Sequence, residues 1–162
     1  MAKLYRELDS RLEAYIKAQP SFFVASAPIN CDGLINISPR GTATLKVLDA
    51  NTVAYLDLSG GGIESIGHIK ENGRLAMMFC GAQGNVLRLH GHAQAIERYH
   101  AQWSHFASNF SCLEGARAII VLSITRISDS GGPPPVRSLE DSEPRQSFVP
   151  RGKRSSGTAV LA

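Results

Sequence analysis

A chain of 162 residues, 43% apolar and 19% charged, is long enough for one buried core and too short for two ordinary domains. The net charge of +3 forms no basic stripe before the last dozen residues, which argues against nucleic-acid binding. Cys31, Cys80 and Cys112 are odd in number and make no CxxC pair. They point away from a disulfide framework or zinc ribbon and toward the cytoplasm, and neither a signal-type h-region nor a run near the roughly 18 residues of a membrane span appears.

Residues 3–18 read as an amphipathic helix, with Leu4, Leu8, Leu12 and Ile16 at four-residue spacing and Pro20 as its stop. From Ser21 the period becomes strand-like. SFFVASA at 21–27 is an apolar run, followed by turn residues Pro28, Asn30, Asp32 and Gly33. LINIS at 34–38 alternates, with Ile35 and Ile37 sharing one face. Further strands are expected at 43–48 and 52–58, the second preceded by a turn at Asp49-Ala50-Asn51.

A glycine-rich loop at 59–62 then opens a short helix over about 63–71. Ile63, Ile66 and Ile69 form its expected buried stripe, and Asn72-Gly73 a left-handed C-cap. RLAMMFC at 74–80 reads as a central strand apolar on both faces, and 86–96 as a long one. Residues 99–110 look helical from the spacing of Tyr99, Trp103, Phe106 and Phe110, and 117–127 form the last strand.

About six antiparallel strands joined mostly by short turns, with two or three peripheral helices, predict a mainly β chain folded as a Greek-key-like closed or split barrel. The barrel domain is assigned to residues 1–128. After it the composition changes: residues 129–162 hold five of the eight prolines and one aromatic, Phe148, and are expected to be a disordered tail. The closing PRGKRSSG reads as solvated, in preference to a contact with nucleic acid or anionic lipid.

The most informative stretch is DLSGGGIES at 57–65, where a strand ends, glycines follow and a helix begins. Such an order can form a nest of inward-facing amides at a helix N-terminus, with hydroxyls from Ser59 and Ser65, and would suit a phosphate; an ordinary flexible loop is the other reading. It is neither GxxxxGK[ST] nor GxGxxG, so ATP and dinucleotide readings lose their usual support. Arg40 and Arg88 are further cations, while Glu64 opposes an anion. On strand 86–96, Arg88, His90, His92 and Gln94 share a face that is either solvated or ligand-bearing; no nearby carboxylate or thiol completes a metal set. No nucleophile or acid–base constellation stands out, as expected where a cofactor carries the chemistry.

The succession FFVASAP, DGLINISPRG, VLDANTVAYLDLSGGGIESIGHIKENGRLAMMFC, VLRLHGHAQ and GARAIIVLSITRISDS resembles the FMN-binding split-barrel proteins of the pyridoxamine 5'-phosphate oxidase-like family over residues 1–130. The resemblance implies an FMN-dependent oxidoreductase acting on a small molecule, a homodimer with FMN at its interface. It implies cofactor contacts from Ser38, Arg40, Ser59, Gly60, Gly62, Ser65 and Arg88. Glu64 and Ser65 stand where the best-known oxidases tend to carry Arg and Lys, which favours a divergent reductase-like relative. Family members continue past the SDS segment with a Cys-Gly-Tyr-Gly-like turn, replaced here by GGPPPVRSLEDSEPRQ, so a shifted reading frame or a divergent exon from about residue 131 is expected. A non-catalytic flavin- or haem-binding protein and an inactive homologue with an altered C-terminus are the competing readings.

Overall fold

A computed structural model describes residues 3–59, 62–82 and 84–131. The expected tail lies almost wholly outside the described residues. β1 (Lys3–Tyr5) and α1 (Ser10–Ala18) are followed by β2 (Ser21–Ser26), β3 (Asn36–Gly41), a 3-10 turn at Thr42–Thr44, β4 (Leu45–Asp49) and β5 (Thr52–Leu58). Then come α2 (Ile63–Asn72), β6 (Arg74–Cys80), β7 (Val86–Glu97), α3 (Trp103–Ala107) and β8 (Ala116–Ser130). Every pairing is antiparallel, in the order β3-β2-β6-β7-β8-β5-β4, with β1 added to β8. This is the expected split β-barrel.

The first expected helix is the main correction. Its first residues are a strand, pairing Lys3 with Asp129 and Tyr5 with Ile127. Asp9 accepts the Leu12 N–H at 2.7 Å and starts the helix only at Ser10. Leu8, Leu12 and Ile16 are buried as the spacing predicts, whereas Leu4 is 60% exposed. Other expectations also change. Of the stripe expected on α2, Ile66 and Ile69 are buried, together with Ser65, whereas Ile63 is exposed. The helix expected over 99–110 shrinks to Trp103–Ala107, leaving Tyr99 fully in solvent. β6 is central, as expected; Leu75, Met77 and Phe79 are buried, while Ala76, Met78 and Cys80 are half-buried. Gly73 caps α2 at φ +70°, its N–H on Ile69 O at 2.9 Å.

The inner face of the sheet holds the larger core. Phe22 stacks on Phe79 and meets Tyr55 edge-on, with Leu12 and Ile16 of α1 and Ile66 and Ile69 of α2 packed around them. A second core on the other face sets Leu56, Ile96, Ile119 and Phe110 beneath Trp103 and Phe106. β5 and β8 are thus covered on both sides, which is why they read as near-continuous apolar runs.

Ladder slips sharpen the curl. Between β7 and β8, His90 pairs with Arg126 but Gly91 with Ile124, so Thr125 is the extra residue. A Cβ on Gly91 would stand 2.0 Å from Ser123 O. Gly91→Ala must therefore pry the central ladder apart and is expected to cost about 2–3 kcal/mol. Urea unfolding checks it: the midpoint falls with an unchanged slope.

Candidate functional site

β3 lies at one edge of the sheet, where its Pro39 sacrifices no interior ladder bond. Ser38 opposite Val24 and Arg40 opposite Phe22 put both polar side chains on the inner face. β5 sits near the other edge, so the two strands face each other across the split without sharing a ladder. A carboxylate bridges them. Arg40 Nη2 donates to Asp57 Oδ1 at 2.6 Å, and Arg117 Nε donates to Asp57 Oδ2 at 2.6 Å. The Asp57 side chain is 1% exposed. Arg117 reaches it through a second slip: Asp57 pairs with Ala118 and Leu58 with Ala116, which makes Arg117 the extra residue and re-aims its side chain.

Tyr55 belongs to the same face, with its ring centroid 5.9 Å from Arg40 Cζ. Desolvation pushes its hydroxyl pKa well above the ordinary tyrosine value; Arg40 opposes that shift and Asp57 adds to it. Tyr55 therefore stays a neutral phenol.

The loop after β5 returns over this cluster. Gly62 is the N-cap of α2 at φ +92°, and a Cβ there would lie 2.5 Å from Arg40 Nη2 and 3.3 Å from Ser38 Oγ. Only glycine lets the backbone pass this close. Ser65 follows in the first turn, its N–H on Gly62 O at 3.2 Å. Ser65 Oγ and Arg40 Nε are both buried without a hydrogen-bond partner, and such groups call for a ligand or water. Ser38 Oγ donates to Asn36 Oδ1 at 2.7 Å, and Asn36 Nδ2 to Glu64 Oε2 at 3.2 Å, which turns the Glu64 carboxylate toward Asn36. Two guanidiniums against one buried carboxylate, beside the positive end of α2, leave the cluster with an excess of positive charge that favours an anion.

Of the residues expected at the site, Ser38, Arg40 and Gly62 are brought together, with Ser65 just beyond them. Ser59 is not: its N–H and Oγ both donate to Gly115 O, at 2.8 and 3.2 Å. Arg88 lies on the opposite face, opposite Met78 and Ser128, and donates to Ser130 Oγ at 3.0 Å. Gly60 falls outside the described residues. Asp57, Tyr55 and Arg117 were not anticipated. The available signal was a lone carboxylate at the parity of Val53 and Tyr55 in an apolar strand, a position that demands a buried cation.

His90 and His92 share the exposed side of β7 as expected, and no cluster of three or more metal-ligating side chains forms among the described residues. Burial, then Arg126 and Arg88, lower the pKa of His90. No described helix is long and apolar enough to cross a membrane.

Comparison with known proteins adds to this geometry. The family described as pyridoxamine 5'-phosphate oxidase matches residues 8–131. A pyridoxamine 5'-phosphate oxidase family protein of Aspergillus flavus is 35% identical over 162 aligned residues. That match covers 93% of this chain, so it runs past Gly131, and 65% of the relative, so the chain spans under two thirds of that protein. Two solved structures share the fold. HupZ of Group A Streptococcus is 19% identical, with a TM-score of 0.56 over 74% of this chain and 91% of its own. An FMN-binding protein of Syntrophomonas wolfei is 14% identical, with a TM-score of 0.54 over 76% and 84%.

Proposed function

The chain belongs to the pyridoxamine 5'-phosphate oxidase family, and on that footing we propose that it is a cytosolic, FMN-dependent oxidoreductase acting on a small molecule. The observation that carries the reading is the pair of buried, unpartnered donors, Arg40 Nε and Ser65 Oγ, beside a glycine that leaves room for nothing larger. A phosphate fits that donor set. Arg40, Ser38, Ser65 and the amides at the start of α2 would hold the FMN phosphate. Asp57 and Arg117 would fix the Arg40 guanidinium in place.

When bound, FMN would supply the hydride- or electron-transfer chemistry. The protein's residues bind and orient. Asp57 is engaged by two arginines and Tyr55 is held neutral, so the cluster itself offers no free acid or base. The same lack supports a second reading, a flavin- or haem-carrying protein without turnover. Glu64 at the helix start supports a divergent reductase-like member over a vitamin B6 oxidase.

A second copy of the chain would complete the assembly. Ile37, 68% exposed, stands on the outer face of β3, Phe23 on the same side of β2 is 36% exposed, and Ile35, just before β3, is 69% exposed. Such a patch suits a homodimer interface. The cysteines remain unpaired thiols, in keeping with a reducing cytosol.

The test is the absorbance spectrum of protein purified under mild conditions, with mass spectrometry of whatever denaturation releases. A flavin band and released FMN are expected, and turnover of reduced nicotinamide separates an enzyme from a carrier. A Soret band would assign haem, and a colourless protein that reconstitution with FMN leaves colourless would reject the proposal.

A further inference from the structure

Beside Arg117 lies an open groove of about 730 Å³, walled by Ser59, Arg98, Tyr99, His100, Gly115 and Arg117. We propose that this groove is a second binding site, for an aromatic ring bearing a carboxylate or phosphate. It shares Arg117 with the cofactor proposal but does not depend on it.

Its cations are fixed in place. Arg98 Nε donates to Ala116 O at 3.3 Å, Arg98 Nη2 to Leu113 O at 3.5 Å, and its guanidinium lies 5.6 Å from the Trp103 ring centroid. Asp57 holds Arg117 from below. Two positioned guanidiniums lose little freedom on meeting an oxyanion, and their charge favours a carboxylate or phosphate. The one carboxylate in the wall, Glu97, is turned onto Lys70 Nζ at 2.6 Å. The groove is therefore net positive.

The floor is quiet. Ser59 gives both its donors to Gly115 O, which ties the end of β5 to the start of β8. Tyr99 supplies the aromatic preference. Its side chain is fully exposed in the same wall as the two arginines. An anion alone would leave that ring in water, whereas a flat substituent on the anion would cover it. The size falls in the range of small-molecule pockets.

Phenyl phosphate is the probe, followed by amide chemical shifts of the full chain in an NMR titration. Saturable shifts at Tyr99, His100 and Gly115 are expected, with binding weakened about tenfold in Arg98→Gln, the scale of losing one charge-assisted pair. Because Arg98 also holds backbone carbonyls, Tyr99→Ser is the companion variant. It removes a solvent-facing ring, and should weaken phenyl phosphate several-fold while leaving inorganic phosphate unchanged. Shifts of equal size with benzyl alcohol, none at millimolar phenyl phosphate, or shifts confined to Ser38 and Ser65 would each overturn the proposal. The last result would at the same time favour the phosphate site beside Arg40, so the two ideas can fail separately.

Discussion

Asp57→Ala is expected to destabilise the fold by about 3–5 kcal/mol, the scale for removing one partner of a buried charge pair. The Asp57 side chain is 1% exposed, and those of Arg40 and Arg117 are 11% and 21% exposed. Taking away the carboxylate leaves two guanidiniums facing one another with little water to screen them. The residual exposure of Arg117 lets some solvent in, which places the loss nearer the lower end of that range. Asp57→Asn keeps an acceptor and the shape but not the charge, so it should fall between the wild type and alanine. Urea unfolding followed by circular dichroism measures both. A change under about 1 kcal/mol would mean that the pair behaves like a screened surface bridge and that the seam has another source of strength.

Arg40→Glu should abolish flavin retention, with affinity reduced by more than about a hundredfold, or roughly 2.7 kcal/mol. The substitution removes the guanidinium nearest Gly62 and Ser38 and places a second carboxylate beside Asp57. Loss of colour alone could come from a weakened fold, so Arg117→Gln is the control. It releases the other oxygen of the same carboxylate but leaves Arg40 in place, and should keep measurable flavin binding while losing stability. The comparison rests on titrating FMN fluorescence against each variant after circular dichroism has verified its strand content. Equal flavin loss in the two variants would show that the triad serves the fold and not the phosphate.

Much of the barrel could be read from residue order because its strands carry their own local signals. The β-branched and apolar runs of β5 and β8 mark strands buried on both faces. Asn72-Gly73 can only end a helix there, since φ is positive at Gly73. What escaped was decided by distant partners. Leu4 keeps the four-residue spacing of α1, but its neighbour is Ser128 at the other end of the domain, and no local period reveals that. Alternation in LINIS separates two faces without saying which one the fold covers, and it is the face of Ile37 that lies exposed.

The site divides in the same way. ISPRG and the glycine loop, through the family resemblance, named Ser38, Arg40 and Gly62, and the fold sets these three side by side. Arg88 read as one more useful cation, and strand parity sets it on the other face of the sheet from Arg40. Arg117 was invisible because only a slipped ladder turns it toward Asp57.

The split in the barrel has a mechanical consequence. β3 and β4 follow one another in the chain yet occupy opposite margins, so the polypeptide itself crosses the gap at Thr42–Thr44. The chain ties the two margins together there, and the Arg40–Asp57 contact adds a clasp made of charge. Because β3 and β5 share no ladder, that side-chain contact stands in for the main-chain bonds that a closed barrel would have at this seam.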